Sequence, residues 1–470
     1  MDKRILVAAI VVAVAAAIIA GYMFISRGST AAPNTPSTAT GTTTASAKAV
    51  AKQSLRDCGA NAVAVVYGGG QEKLAKAMAE LLAQQLAADV PKGTTFCYVP
   101  ISGSGLQKPR VLPLILVKTS HMSGRLKQLL LNETFADGYR PVRYDVDAVF
   151  AAQVAMRERL PGPRYAYTAT LLVVQGHVNE TRVDVKKLEA DKNFMTLLEA
   201  VFAANITRVV PVDEPPRGVA VDSRPNLVVE SSFNLSSGDP GVREAARGYY
   251  VASHIDFAVV LSERRLAEAF ERIGVPPMIG LHPALGSGPI HIAIYEDFMC
   301  PFCAEFYATV FPKLMKLADE GKITLHFMDL IVHPQPVVKK LHQLLACYYA
   351  ETHNATGYVK AVEEIYSLLR RDIAKLQKSQ INETGLLNDY QKLYEKLSKQ
   401  LGANTTCRAA VLPEESTKAA EKLGLRGTPS FAVWGNDLGY TVYTVGYHDY
   451  RFFANLIKEL EAQLNAAHRG

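Results

Sequence analysis

The chain carries little charge for its length, and neither positive nor negative residues are concentrated in one part of it. Charged residues make up 20% of the 470 residues, and the formal net charge is +6. Lys and Arg are interspersed with Asp and Glu, and no basic stripe with interleaved aromatic residues is present. Because proteins that bind nucleic acid concentrate positive charge on one face, we expect no nucleic-acid partner.

The sequence also lacks the motifs that hold phosphates, metals or a hydrolytic nucleophile. Gly68-Gly-Gly70 has neither the Gly-x-Gly-x-x-Gly spacing nor the Lys-Ser/Thr ending of a phosphate loop, so it predicts a turn. His326 and His333 are interpreted as core or strand-end residues. No Ser/His/Asp or His/acid cluster stands out, and we therefore expect no metal and no cofactor.

A long apolar run is present at the N-terminus. Ile5 to Ile25 contains no charged residue, and about 20 such residues span a bilayer core as a helix. Two basic residues precede the run and Arg27 follows it, which favours a cytoplasmic N-terminus. The alternative, a cleaved secretory signal, usually has a shorter apolar region of ~7–15 residues. We predict a transmembrane anchor at 1–27 that leaves the body of the chain extracytoplasmic, at the cell membrane.

Acceptor sites for N-glycosylation are more frequent than composition predicts. Among 15 Asn, seven stand in the Asn-x-Ser/Thr context. Ser plus Thr make up about a tenth of the chain, so about one or two such sites are expected by chance. Acceptor sites are used only on translocated chains, and the excess favours a glycoprotein of the outer surface. The residues are Asn132, Asn179, Asn205, Asn234, Asn354, Asn382 and Asn404.

Composition and periodicity divide the rest into a stalk and two folded regions. Residues 28–54 begin with a stretch rich in Ser, Thr, Ala, Pro and Gly that predicts a flexible stalk. Residues 55–275 alternate strands and helices, which predicts an α/β domain with a partly parallel sheet and a role that the sequence leaves open. The predicted strands are 62–67, 94–101, 111–118 and 167–175, and the predicted helices are 71–86 and 188–204.

A second folded region is predicted at 285–470, after the Pro-rich and Gly-rich segments near 276–277 and 286–289. Its pattern indicates four strands and a long helical stretch between the second and the third. The predicted strands are 290–295, 323–330, 431–434 and 441–445, and the predicted helices are 301–320, 337–350, 357–371, 386–401, 414–423 and 450–466.

One cysteine spacing is informative by itself, namely Cys300-x-x-Cys303. A predicted strand precedes the motif and a helix follows it, so Cys300 is expected at a helix N-terminus, where free N–H groups favour an anion. Pro301 suits the first helical turn, and Cys303 lies on the same side of that turn as Cys300. Thiol–disulfide exchange needs this combination of a stabilised thiolate and a resolving thiol.

Other uses of the pair fit the sequence less well. Half of a zinc site needs a second ligand pair, and the chain has no other Cys-x-x-Cys. Covalent haem attachment needs His after the second cysteine, and Ala304 stands there. A local structural bridge stays open but is uncommon at this spacing.

At this point the residues resemble a known family. The run from Glu296 to Phe306, Glu-Asp-Phe-Met-Cys-Pro-Phe-Cys-Ala-Glu-Phe, is similar to the active-site signature of DsbA-like proteins of the thioredoxin superfamily. Gly427-Thr-Pro-Ser-Phe431 resembles the cis-proline loop of that superfamily. The resemblance implies a thioredoxin-like fold with an inserted helical domain at about 335–425. It also implies substrate contacts at Thr428, Pro429, Pro301 and Phe302.

Two departures from the family pattern matter for the chemistry. Phe302 stands where DsbA-type oxidases often carry His, and Phe cannot donate a hydrogen bond to a thiolate. Ile294 stands where many relatives carry a buried acid. Glu296 or Asp297 is a possible proton relay for Cys303 instead, and both also fit surface or capping acids.

The remaining four cysteines suggest two structural bridges, Cys58–Cys97 and Cys347–Cys407, with buried free thiols as the alternative. The resemblance then implies an enzyme that exchanges disulfides with exported protein thiols. It also implies a membrane redox partner that reoxidises the Cys300–Cys303 pair. Two alternatives remain open, an isomerase or reductase on the same fold and a non-catalytic, disulfide-stapled surface glycoprotein.

Overall fold

The computed structural model describes residues 49–236 and 241–469. These residues form two compact units. The first contains residues 49–169, Asp191–Thr207 and the described part of 231–244, and the second contains Thr170–Ala190, Arg208–Glu230 and residues 245–469.

The described strands and helices are numbered in chain order. The strands are β1 (Val50–Ala51), β2 (Ala62–Tyr67), β3 (Thr95–Pro100), β4 (Val111–Leu112), β5 (Leu114–Lys118), β6 (Arg140–Pro141), β7 (Arg164–Tyr165), β8 (Thr168–Val174), β9 (Asn205–Val212), β10 (Ser223–Arg224), β11 (Asn226–Glu230), β12 (Val242–Ala246), β13 (Tyr249–Ala252), β14 (Phe270–Ile273), β15 (Ala284–Gly286), β16 (Ile290–Glu296), β17 (Ile323–Asp329), β18 (Ser430–Gly435) and β19 (Tyr440–Val445). The α-helices are α1 (Glu72–Gln85), α2 (Gly124–Gln128), α3 (Tyr144–Glu158), α4 (Val185–Ala190), α5 (Lys192–Phe202), α6 (Phe257–Glu263), α7 (Pro301–Thr309), α8 (Phe311–Asp319), α9 (Pro336–Thr352), α10 (Ala355–Gln377), α11 (Glu383–Leu401), α12 (Leu412–Lys422) and α13 (Tyr450–Ala467).

The first unit is built on a partly parallel sheet, as predicted. Its strands lie in the order β1-β3-β2-β5-β6. Strand β2 pairs parallel with β3 and antiparallel with β5. The residues of β2 from Ala62 to Val66 are fully buried, because small and β-branched side chains pack on both faces of a central strand.

Two features of this unit differ from the sequence-based prediction. Strand β1 lies within the segment predicted as a stalk and pairs parallel with β3, so ordered structure begins before residue 55. Helix α3 was not predicted, because it buries residues around most of its circumference and has no clean apolar stripe. One of its buried residues is Asp147, whose carboxylate accepts a 2.8 Å hydrogen bond from the amide of Ile115.

The second unit contains a seven-stranded sheet in the order β10-β14-β19-β18-β16-β17-β15. Strand β16 pairs parallel with β17 and antiparallel with β18, so it lies near the middle of the sheet. Its side chains alternate between two cores: Ile292 and Ile294 pack on one face, and Ala293 and Tyr295 pack on the other. This alternation fixes the register that brings the end of β16 to the cysteine motif.

The sheet is wider than the predicted C-terminal domain. Strands β10 and β14 come from the segment assigned to the preceding domain, and β14 pairs antiparallel with β19. Both strands are short, so they carry little periodicity that a sequence pattern could reveal. A second sheet, in the order β12-β13-β11-β8-β9, draws most of its residues from this unit.

Four helices, α9 to α12, follow β17 and precede β18, where the helical insertion was predicted. The side chains of Asn354 and Asn382 cap α10 and α11 by accepting hydrogen bonds from backbone amides three residues on. The single helix predicted at 301–320 is two helices, because Pro312 in the first turn of α8 has no N–H to continue α7.

The part of the chain that the structure describes contains no helix that is long and apolar enough to cross a membrane. The predicted anchor at 1–27 and most of the predicted stalk lie outside the described residues.

Both predicted structural pairs are disulfides in the structure. Cys58 bonds to Cys97, and Cys347 bonds to Cys407. The Cys58–Cys97 bond joins residues 39 positions apart, and the Cys347–Cys407 bond joins residues 60 positions apart. Each bond therefore closes a loop whose ends would otherwise separate freely in the unfolded chain.

We expect replacement of Cys347 and Cys407 by alanine to destabilise the second unit by about 4 kcal/mol, because closing a loop of this length restricts the unfolded chain. Denaturant unfolding of the variant and the wild-type protein, each without reductant, measures the difference. An unchanged unfolding midpoint would contradict the expected contribution of this bond.

Candidate active site

The two cysteines of the motif lie where strand β16 passes into helix α7. Cys300 is the N-cap of α7, and its sulfur accepts a 3.4 Å hydrogen bond from the amide of Cys303. Pro301 occupies the first turn, where its missing N–H has no cost. Both cysteines are free thiols and buried, with Cys300 at 4% exposure and Cys303 fully enclosed. This is the helix N-terminal geometry that the sequence predicted.

The loop before β18 comes to the same end of the sheet. The peptide bond between Thr428 and Pro429 is cis, as the resemblance implied. The Cys300 sulfur lies 3.1 Å from the carbonyl oxygen of Thr428, to which the thiol donates. Because Ser430 at the start of β18 pairs with Tyr295 near the end of β16, the register of the sheet holds this loop beside the cysteines.

The surroundings of the two thiols shift their pKa values in opposite directions. The hydrogen bond with the Cys303 thiol lowers the pKa of Cys300 most, burial opposes it, and the Thr428 side chain and the backbone amides of the first helical turn lower it further. The result is a pKa of about 6 for Cys300, against an ordinary value of 9.0. Burial raises the pKa of Cys303 well above its ordinary value, and the hydrogen bond with Cys300 and the charges of Cys300 and Glu296 add to this. Cys300 is therefore the nucleophile and Cys303 the protonated partner at neutral pH.

Glu296 is a buried acid rather than a surface or capping residue. It ends β16 with no exposed surface, and the hydroxyl of Tyr366 donates to its Oε2 at 2.9 Å. Burial raises the pKa of Glu296 from 4.5 to about 8, and the carboxylates of Asp329 and Asp297 also raise it. The carboxyl is thus close to half-protonated at mildly alkaline pH, and its charge acts on the thiol of Cys303.

Asp297, the next residue, has a different environment. Its carboxylate accepts hydrogen bonds from the amides of Met299, Val332 and His333 at 2.7–2.8 Å, and from the His333 ring at 3.0 Å. Burial opposes ionisation of Asp297, but the hydrogen bonds from His333 outweigh it and the pKa lies below its ordinary value. Asp297 therefore joins two loops as an ionised acceptor, and Glu296 is the better candidate for proton transfer.

Phe302 and Pro301 lie on the outer side of the site. Both are exposed, and the side chain of Phe302 is 63% accessible. Val445 at the end of β19 and Tyr447 just after it are further exposed apolar side chains, and the amide of Gly446 between them donates to the carbonyl of Pro429 at 2.8 Å. The cis-proline loop therefore has an apolar border that can contact a polypeptide.

Four residues near the motif were missed or interpreted differently by sequence reasoning. Tyr366, Tyr390 and His342 lie on the inserted helices and contact the segment that precedes Cys300. No local pattern marks them, since contacts across 44 to 92 residues depend on how the insertion folds back. His333, interpreted as a strand-end residue, lies against Asp297, which raises the pKa of its imidazole most, and the Cys300 charge also raises it.

A family model described as thioredoxin matches residues 284–442. The search of curated proteins found no match. Among solved structures, alpha-DsbA1 of Wolbachia pipientis is 21% identical with a TM-score of 0.29, and the alignment covers 42% of this chain and 96% of that one.

Two further solved structures are similar to part of the chain. BdbD of Bacillus subtilis is 19% identical with a TM-score of 0.28, over 40% of this chain and 98% of its own. DsbA2 of Pseudomonas aeruginosa is 16% identical with a TM-score of 0.26, over 39% of this chain and 93% of its own. The family model assigns residues 284–442 to a thioredoxin domain, and four helices lie between its strands β17 and β18.

Proposed function

We propose that this chain is a thiol–disulfide oxidoreductase that exchanges disulfides with exported proteins through Cys300 and Cys303. The observation that supports this most is the contrast between the two thiols. Cys300 caps a helix beside a cis-proline loop with a pKa of about 6, and the pKa of Cys303 is raised. A nucleophile that is ionised at neutral pH, next to a resolving thiol, is the minimum that exchange chemistry requires.

The reaction begins from the oxidised pair. A substrate thiolate attacks the Cys300 sulfur, the Cys300–Cys303 bond breaks, and Cys303 leaves as a thiolate that takes up one proton. A second substrate thiolate attacks the substrate sulfur of the mixed disulfide, and Cys300 leaves as a thiolate. The substrate loses two electrons and two protons in forming its disulfide, and the cysteine pair is reduced by two electrons.

The proton that Cys303 needs comes from Glu296 in this proposal. The carboxyl is buried and close enough for its charge to act on Cys303, and its pKa of about 8 keeps it largely protonated at neutral pH. In the reverse direction the Glu296 carboxylate removes the proton from Cys303 so that the resolving thiolate can attack. General acid–base groups act best when their pKa lies close to the working pH.

The low pKa of Cys300 favours the oxidising direction. A stabilised thiolate stabilises the reduced form of the pair, and the disulfide is then the stronger oxidant. The side chain of Phe302 supplies no hydrogen bond, so the helix terminus and the neighbouring hydroxyl and thiol groups carry this stabilisation. A membrane partner that accepts two electrons, such as a quinone-linked enzyme, would restore the disulfide. An isomerase or reductase on the same fold is the alternative.

Equilibration of the protein with glutathione buffers separates these directions. We expect a reduction potential well above about −270 mV, toward the value of about −120 mV known for strong oxidants of this kind. A potential near about −270 mV would point to a reductant and contradict the oxidising direction. A cysteine pair that does not equilibrate at all would contradict the oxidoreductase proposal itself.

The proposed location is the extracytoplasmic side of the cell membrane, with the apolar run near the N-terminus as the anchor. The acceptor sequences support export, since all seven asparagines are exposed in the structure. We therefore also propose that the chain is glycosylated, with Asn179 as an exception because Thr181 of its acceptor sequence is buried. Protease treatment of intact cells should remove the domain, and intact-mass measurement of the native protein should show added sugar. A protected, unmodified chain would contradict both proposals.

A further inference from the structure

The segment that precedes Cys300 is held by the inserted helices rather than by the thioredoxin sheet alone. Phe298 is fully buried between them, stacked on the ring of His342 with 3.8 Å between ring centroids. Its carbonyl accepts a 2.6 Å hydrogen bond from the hydroxyl of Tyr390. Its amide donates to Nε2 of His342 at 3.3 Å. Both backbone groups of this residue are therefore satisfied by side chains of the insertion.

A third helix of the insertion contacts the two residues before Phe298. The hydroxyl of Tyr366 lies 2.9 Å from Oε2 of Glu296 and 3.2 Å from the carbonyl oxygen of Asp297. A hydroxyl has one proton, so these two acceptors share it. A change in the charge of Glu296 therefore directly changes the strength of its hydrogen bond with Tyr366.

The histidine contact has one consistent tautomer. Nδ1 of His342 lies 2.6 Å from Oδ1 of Asp329, and Nε2 accepts the amide proton of Phe298. A proton on Nδ1 alone satisfies both contacts. Asp329 pairs in register with Glu296 across β17 and β16, so the same network reaches the acid from a second side.

We propose that Tyr366 and Tyr390 are positioning residues of the redox site, which hold Glu296 to Phe298 so that the Glu296 carboxyl faces Cys303 for proton transfer. This inference rests on the proposed exchange function. The inserted helices therefore complete the site. Tyr366 orients the Glu296 carboxyl through a hydrogen bond that favours its charged form, and Tyr390 fixes the backbone that joins this carboxyl to the cysteine motif.

The titratable groups that interact with Glu296 come from four elements. They are Asp329 on β17, Cys303 and Tyr307 on α7, Tyr358 and Tyr366 on α10, and Asp297, the next residue of its own chain segment. The charges near Tyr390 are those of Asp297, Asp372 and Cys300. Removing the Tyr366 hydroxyl takes a donor from the charged form of Glu296 and therefore moves ionisation of that acid to higher pH.

The test follows the reduced full-length protein as it reacts with an aromatic disulfide reagent in excess. Cys300 attacks first and releases one chromogenic thiolate, leaving a mixed disulfide. Cys303, after losing its proton to Glu296, attacks the Cys300 sulfur and releases the second thiolate. The rate of the second release against pH reports the proton transfer, and the rate of the first release reports Cys300.

Tyr366→Phe should raise the pH midpoint of the second release by about one unit, the equivalent of one hydrogen bond to a charged group. Tyr390→Phe should slow the second release about tenfold at all pH values, because the Phe298 carbonyl loses its donor. Tyr394→Phe is the matched control, since Tyr394 lies one turn further along α11 with its ring beneath Lys340. It should behave as wild type.

A double variant keeps the proposal falsifiable if Tyr390→Phe does not fold. In a Glu296→Gln background, Tyr366→Phe should produce no shift in midpoint, because the titrating group is gone. The inference is overturned if Tyr366→Phe and Tyr390→Phe both match Tyr394→Phe, or if the Tyr366→Phe shift persists without Glu296. A wild-type protein that gives no second release would instead overturn the proposed exchange function.

Discussion

Replacing Cys303 by serine is expected to trap covalent complexes between this protein and its substrates. The pKa of Cys300 is about 6 in the wild-type protein, and the serine hydroxyl can donate to its sulfur in place of the Cys303 thiol, so Cys300 can still capture a substrate disulfide. The thiol that would release the captured chain is missing, and the mixed disulfide accumulates. Non-reducing electrophoresis of exported proteins from cells that produce the variant should show adducts that reductant removes.

Cys300→Ser is the matched control for this experiment. Cys303 is fully buried and its pKa is raised, so it should form no adducts when Cys300 is absent. We expect both single variants to lose catalysed disulfide formation in a reduced test protein down to the uncatalysed rate. Absence of adducts with Cys303→Ser, although a thiol reagent still reaches Cys300, would favour a surface glycoprotein whose cysteines only stabilise the fold.

Replacing Glu296 by glutamine is expected to reduce the rate at which Cys303 resolves a mixed disulfide by about 100-fold near neutral pH. Removal of a general acid–base group usually costs at least this much, and glutamine of similar shape cannot exchange the proton. The remaining rate should also lose the inflection near pH 8 that the wild-type protein shows. Stopped-flow kinetics over pH 5–10 measures both effects.

The Glu296→Gln substitution is also expected to change how the stability of the folded chain depends on pH. The pKa of Glu296 is higher in the folded chain, about 8, than its ordinary 4.5, so the folded state binds more protons between these values. Wild-type stability is therefore expected to fall relative to Glu296→Gln as pH rises through this window, by about 1.4 kcal/mol per pH unit at most. Below pH 4.5 the relative stability should no longer change with pH. A constant difference across the whole range would mean that Glu296 ionises normally in the folded chain.

Much of the redox domain could be predicted from the sequence because its signals are local. An apolar strand, a Pro in the first turn after Cys300 and a Gly-Thr-Pro loop each describe the backbone within a few residues. The helices of the insertion were predicted for the same reason, since their apolar residues recur at helical spacing. The structure places Cys300, Cys303 and the cis Pro429 together as these signals indicated.

The sequence limits the candidate proton-transfer acid to Glu296 and Asp297 but does not distinguish between them. Glu296 and Asp297 are adjacent, and a sequence does not show which of them receives backbone amides from a distant loop. In the structure Asp297 accepts the amides of Val332 and His333, whereas Glu296 has a phenol from α10 as its partner. Differences of this kind depend on long-range packing, which local patterns do not contain.

The first unit shows the same limit for whole elements. Strand β2 was predicted to the residue, because a run of buried β-branched side chains between turns has few alternatives. Helix α3 was missed, because its mixture of acidic and apolar residues is buried on several sides. In the second unit, the short strands β10 and β14 exist only as partners of a sheet formed elsewhere in the chain.

The proposed function depends on Cys300 being a thiolate at neutral pH, held at the N-terminus of α7. The rate of its alkylation by iodoacetamide against pH, measured on the reduced protein with Cys303→Ser as a check on the site of reaction, tests this most directly. We expect a single transition with a midpoint near pH 6 and full reactivity at neutral pH. A midpoint near 9, or a sulfur that does not react at any pH in the folded protein, would contradict the account.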